Sequence, residues 1–180
     1  MTYAVELCFD RRTENAIKRL YNSLKRQRIN STMSDEKVRP HITLALFDCH
    51  RADELKSALG NFATKTRRFS LRLGHIGLFS KTGVVFLAPI VTPELLTAHH
   101  TCLGALRQLV RNVWPYYEEG KLVFHCTMGL GMKRADSLRA VQLMMRSKLP
   151  GSFHVREVAL VHIPGQNKPM RTVYETRLSQ

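Results

Sequence analysis

The sequence predicts an α+β fold of two pseudo-symmetric lobes, each with an antiparallel β-sheet and helices, and a cleft between them. Three observations predict it. Segments with strand and helix periodicity alternate along all 180 residues. Short turns join neighbouring apolar strands into hairpins. The interval from His41 to Phe69 is 28 residues (69 − 41), and that from His125 to Phe153 is 28 again (153 − 125). Two copies are too few for a stacked array, so the repeat implies paired lobes. A hydrophobic fraction of 44% supports a buried core. We therefore expect a single bilobal domain over 1–180, with a first repeat at about 1–91 and a second at about 92–180. The last strand is available to close the first lobe.

Residues 3–9 read as a strand ending at Asp10, and Ala16, Ile17, Leu20, Tyr21 and Leu24 recur at helical spacing to about Arg28. Asn30 to Lys37 reads as a loop. Arg39-Pro40-His41 opens a strand running to Phe47, with proline at its start where no ladder bond is lost. A helix is expected over about 51–63, then strands from Phe69 to Phe79 and Val84 to Val91 around the turn Ser80 to Gly83. Thr92-Pro93 caps a helix that carries Leu95, Leu96, His99, Leu103 and Leu106 and ends near Arg111. After a loop from Asn112 to Lys121, the expected elements are a strand from Leu122 to Gly129 and a helix over about 136–148. Strands Phe153 to Ile163 and Thr172 to Leu178 follow, and Trp114 is assigned to packing.

Twenty-eight Lys and Arg against fourteen Asp and Glu give a formal charge of +14 and a pI near 10.2. Such a field attracts polyanions, so RNA or a nucleotide is the expected partner, although the same excess would serve a merely soluble surface. Cys8, Cys49, Cys102 and Cys126 show no Cys-x-x-Cys spacing and follow no basic leader, which predicts reduced thiols. No apolar run approaches the roughly 20 residues that span a bilayer. We expect a cytoplasmic monomer with no membrane segment.

Histidine precedes threonine by two places at His41-Ile-Thr43, His99-His-Thr101 and His125-Cys-Thr127. On a strand, residues two apart share a face, so His41 and Thr43 project together, as do His125 and Thr127. On the helix holding His99, residues two apart lie on nearly opposite faces, so that copy cannot converge on one ligand. Two histidine and threonine pairs presented from opposite walls of a cleft suit in-line phosphoryl chemistry. One neutral imidazole accepts a proton while the other, protonated, supplies one, and the threonine hydroxyls donate to nonbridging oxygens. No metal or cofactor is needed for these steps. A lone strand histidine is more often structural, but a matched pair of motifs at equal spacing is not something core packing demands.

Pro-His-Ile-Thr-Leu at 40–44 and His-Cys-Thr-Met at 125–128 resemble the paired signatures of the two-histidine phosphoesterases, in particular the RNA 2′-5′ ligase and cyclic phosphodiesterase branch. Gly77-Leu-Phe79 and Val84-Val-Phe-Leu87 resemble that family's strand pair after the first signature, so the likeness spans nearly the whole chain. It implies a metal-independent phosphodiesterase acting on 2′,3′-cyclic phosphates or 2′-5′ linkages, with His41, Thr43, His125 and Thr127 as the catalytic set. Many ligase-like members carry an arginine soon after the second signature, where this chain has Met128-Gly-Leu-Gly-Met132 before Lys133.

Four further residues are candidates for substrate contact. Arg39 precedes His41 by two places and suits a phosphate bidentately, Lys81 lies in the turn after Phe79, and Phe79 and Tyr116 offer rings for a base. Tyr117 is a neighbouring alternative. Two other readings stand beside the enzyme: a noncatalytic RNA-binding module of the same fold, and a small-nucleotide cyclic phosphodiesterase. Which histidine is acid and which is base is open in the sequence.

Overall fold

A computed structural model describes residues 1–110, 113–165 and 169–180. Strand β1 (Thr2–Cys8) leads into helix α1 (Arg11–Arg26). The Asp10 carboxylate caps α1 by accepting the Thr13 N–H at 3.0 Å, and Ile17, Leu20, Tyr21 and Leu24 form its buried stripe. A one-turn helix, α2 (Thr32–Asp35), stands where the sequence reads as loop. Strand β2 (His41–Asp48), helix α3 (Ala52–Lys65) and the hairpin β3 (Phe69–Phe79) with β4 (Val84–Pro89) follow. Helix α4 (Pro93–Leu106) begins at a Thr92 cap, whose hydroxyl accepts the Leu95 N–H. It ends short of the expected Arg111, and Arg111 and Asn112 lie outside the described residues. Beyond a 3₁₀ turn at Pro115–Tyr117 come β5 (Cys126–Gly129), α5 (Arg134–Met145), β6 (Ser152–Val155), β7 (Glu157–Ile163) and β8 (Arg171–Arg177).

Two antiparallel four-stranded sheets result, in the orders β2-β1-β7-β8 and β5-β4-β3-β6. Helices α3 and α4 contact strands of the first sheet, and α1 and α5 contact strands of the second. The apolar alternation along each strand faces these helices: Val5, Leu7, Ile42 and Leu44 in the first sheet, Leu71, Val85, Leu87, Cys126 and Met128 in the second. The opposite face of each sheet is left open. Among the described residues no helix is long and apolar enough to cross a membrane.

The two sheets are built alike. Strand β1 pairs with β2 across a bulge at Val5/Glu6, and β4 pairs with β5 across a bulge at Val85/Phe86. In the two ladders Thr43 faces Glu6 and Thr127 faces Phe86. The matching bulges make β1 with β2 and β4 with β5 equivalent strand pairs. Each unit also exchanges its third strand: β3 pairs with β4 of the second unit, and β7 pairs with β1 of the first. The run Phe153 to Ile163, read from sequence as one strand, is divided at Arg156 between the two sheets. Trp114 is 44% exposed, and its backbone N–H donates to the Leu46 carbonyl at 2.8 Å while its carbonyl accepts the Tyr117 N–H at 2.8 Å.

Candidate active site

Strands β2 and β5 are the outer strands of their respective sheets, and they meet. The His41 backbone N–H favours the thiolate form of Cys126, so the two signatures adjoin. Tyr21 of α1 braces the same place from below: its hydroxyl donates to the Thr127 carbonyl at 3.0 Å. Burial pushes the Cys126 thiol up to about 12, which makes it a neutral packing group. Because Ile42, Leu44, Cys126 and Met128 all face the helices, the alternation turns His41, Thr43, His125 and Thr127 to the open side.

Both imidazoles are held in the same way. His41 Nδ1 lies 2.7 Å from the carbonyl of Arg39, and His125 Nδ1 lies 2.6 Å from the carbonyl of Val123. A carbonyl only accepts, so Nδ1 is the protonated nitrogen in each ring and Nε2 is left for a substrate. Strand β5 begins at Cys126, so His125 sits on the segment entering it, where the sequence reading had placed it inside a longer strand.

The surroundings of the two rings differ. Beside His41 is Glu6, only 5% exposed, with Oε2 3.4 Å from Nδ1. Burial raises the affinity of Glu6 for a proton, while His41 and Arg39 oppose that rise. Beside His125 are Phe79 and Phe86, with ring centroids at 5.1 and 5.2 Å. Burial holds the His125 imidazole below the ordinary histidine range; the bond to Val123 opposes this and the nearby His41 adds to it. Gly77 makes the aromatic wall possible: a Cβ there would overlap the Phe86 ring, which lies flat across the glycine.

The remaining candidates are distributed unevenly. Phe79 packs on His125, as described. Lys81 stands exposed in the turn after Phe79. Arg39 departs from expectation, because its residue precedes β2 and its guanidinium binds Glu14 at 2.5 Å, Glu175 at 2.6 Å and Glu157 at 3.1 Å. Three carboxylates occupy the fork that a phosphate would need. Tyr116 is 80% exposed, whereas the half-buried Tyr117 lies within electrostatic reach of Glu6. The third His-x-Thr pattern is structural: His99 is buried, its Nε2 donates to the Tyr117 carbonyl at 2.9 Å, and its ring meets Phe124 edge-on. Sequence reading missed Glu6, Phe86 and Tyr21. Only the strand alternation, which puts Glu6 on the face of Thr43 once the bulge is known, carries a signal for the first. Among the described residues no three His, Cys, Asp or Glu side chains gather as metal ligands.

Comparison with known proteins agrees with this geometry. A sequence family described as the 2′-5′ RNA ligase superfamily matches residues 9–167. The chain belongs to that superfamily. The fold is shared with TT0787 of Thermus thermophilus, at a TM-score of 0.67 and 15% identity over 99% of this chain and 98% of that one. It is shared with E. coli LigT complexed with 3′-AMP, at 0.59 and 14% over 99% and 98%, and with LigT complexed with ATP, at 0.59 and 16% over 99% and 97%. No curated protein matches the chain at a significant level. Membership in the superfamily supports a phosphoesterase-type function for the protein.

Proposed function

We propose that the protein is a metal-independent phosphodiesterase that opens a 2′,3′-cyclic phosphate or 2′-5′ linkage of RNA or a nucleotide. The observation that carries this reading is the matched pair of imidazoles at the starts of adjoining edge strands, each with Nδ1 bound to the carbonyl two residues back and Nε2 left for a substrate. The unequal surroundings divide their roles. His125, kept neutral by burial, accepts the proton of the attacking water as its oxygen bonds to phosphorus. His41, with the Glu6 carboxyl as counter-group, delivers a proton to the departing sugar oxygen as that bond to phosphorus breaks. Thr43 and Thr127 donate to the nonbridging oxygens, whose charge is redistributed in the transition state. Phe79 and Phe86 exclude water from His125, which strengthens the interactions at the reacting phosphate. Lys81 and Tyr117 are assigned to the substrate's outer groups. Cytoplasmic, monomeric action on such esters completes the reading.

The test is incubation of chelator-treated protein with uridine 2′,3′-cyclic phosphate and with 2′-5′ and 3′-5′ linked oligonucleotides, products being separated by chromatography. Turnover of the cyclic phosphate or the 2′-5′ linkage is expected to survive the chelator. Abolition by the chelator and restoration by a divalent cation would overturn the mechanism. Stoichiometric binding without any product would favour the noncatalytic RNA-binding module.

A further inference from the structure

The two open faces, alike in topology, differ in their acidic groups. Each strand of the first sheet contains one carboxylate: Glu6 in β1, Asp48 in β2, Glu157 in β7 and Glu175 in β8. The registers Ala159 to Glu6 and Ala159 to Glu175, and Cys8 to both His41 and Glu157, put Glu6, Glu157 and Glu175 on the open face with His41. Arg39 reaches onto that face and is held there by Glu157 and Glu175. None of the strands β3, β4, β5 and β6 contains an Asp or Glu. Their open face instead carries Ser70, Arg72 and His75 of β3 and His154 of β6, all exposed, while Leu71, Leu73 and Phe153 point to the core. Arg68 and Arg156 flank it at the near ends of β3 and β6.

These groups form a defined feature. A shallow groove of about 230 Å³ is lined by Arg68, Phe69, Ser70, His154 and Arg156. Ser70 Oγ and His154 Nδ1 are 2.9 Å apart across the β3/β6 ladder. The Asp10 carboxylate accepts the His154 backbone N–H at 2.9 Å while it caps α1. The groove belongs to the same face as His125. Leu87 pairs with both Cys126 and Ile76, which sets His125 level with His75, and Ser70 lies five residues back along β3 opposite His154. Strand spacings of about 4.8 Å and a rise of about 3.3 Å per residue put the groove roughly 20 Å from His125. That exceeds the reach of a mononucleotide held at the histidines, and an extended chain of several nucleotides spans it.

We propose that the open face of the second sheet carries the continuation of a single-stranded oligonucleotide beyond the reacting phosphate, with Arg72 on its path and Arg68 and Arg156 holding its backbone at the groove. On the first sheet the guanidiniums of Arg39 and Arg177 are engaged by Glu157 and Glu175 and are less available to a phosphate. Guanidinium groups suit phosphate oxygens, and the contacts carry no base preference. This inference rests on the phosphodiesterase reading and makes a polymer, rather than a free cyclic nucleotide, the preferred substrate.

The test is fluorescence anisotropy with a labelled ten-residue 2′-O-methyl oligouridylate, which has no free 2′-hydroxyl to react. Arg72→Ala/Arg156→Ala is expected to weaken binding about tenfold near 50 mM salt. Its slope of log affinity against log salt is expected to be shallower by roughly 1.4, from about 0.7 per lost contact on a single strand. Arg51→Ala/Lys56→Ala, which removes equal charge from the region of α3, is expected to bind within twofold of the unmodified protein. Wild-type binding by the first variant, or an equal loss in the second, overturns the proposal. Thermal melting checks folding, and Arg156→Gln, a single exposed change, carries the test if the double variant melts early. A protein that turns over no phosphodiester refutes the enzymatic reading through the preceding experiment, while this binding comparison still decides the surface.

Discussion

Replacing His125 with alanine is expected to lower kcat by about 10³, within the 10² to 10⁴ typical of a lost proton transfer. The affinity for a product nucleotide should stay within a few-fold, because Nε2 contributes one contact among several. The ring stands where burial holds it below the ordinary histidine range, so it is neutral at lower pH than a free imidazole. The sign follows: on its acidic side kcat/KM of the unmodified enzyme should rise with pH through an ionisation below about 6.5, as His125 becomes the neutral base. In His125→Ala that acidic limb should disappear with the activity. Adding His41→Ala should cost little more, since both residues serve one step and their effects are not additive. Single-turnover rates across pH 4 to 9 check all three expectations. A variant that keeps the acidic limb would assign the base to another group.

Arg39→Ala is expected to destabilise the fold by about 2 kcal/mol, below the roughly 3–5 kcal/mol of breaking a fully buried ion pair because this cluster is only partly buried. Three carboxylates, those of Glu14, Glu157 and Glu175, converge on this one guanidinium, whose side chain is 31% exposed. Removing it leaves like charges facing each other across α1, β7 and β8. Burial raises the affinity of Glu175 for a proton, yet hydrogen bonds led by that from Arg39 bring it below the ordinary glutamate range. The stability it contributes is therefore present above the unfolded-state value of about 4.3 and is lost as pH falls through the lower folded-state value. Arg39→Ala should lack that contribution at neutral pH. Lysine should rescue only partly, because a point charge cannot serve three acceptors in a fork. Urea unfolding at pH 7 measures the loss, and KM for a cyclic phosphate should move less than twofold. A large KM increase at unchanged stability would restore Arg39 to the substrate.

The motif residues were legible because strand alternation is a local rule: His41 with Thr43, and His125 with Thr127, share a face whatever the sheets do. The helix carrying His99 was set aside on the same kind of local geometry, and its bond to Tyr117 agrees. What sequence could not reach was set by pairing partners distant in the chain. The bulge at Val5/Glu6 brings Glu6 opposite Thr43, and the equivalent bulge brings Phe86 opposite Thr127; neither has a signature in its own segment. The ion pairs of Arg39 lie out of reach of sequence for the same reason, because its acceptors come from α1, β7 and β8. Strand exchange between units is a property of topology, and composition at Val91 and Thr92 gives no hint of it. The break at Arg156 went unseen because β6 and β7 are both apolar and adjacent, although they join different sheets.

The most direct measurement is ¹⁵N-histidine NMR during titration with a nucleoside 2′-monophosphate, a product of the proposed reaction. Both Nε2 resonances, of His41 and His125, should shift along one binding curve while both Nδ1 resonances keep the signature of a bond to a carbonyl. Movement of one imidazole alone, or of the two with separate dissociation constants, would show that they do not share a phosphate and would contradict the mechanism at its root.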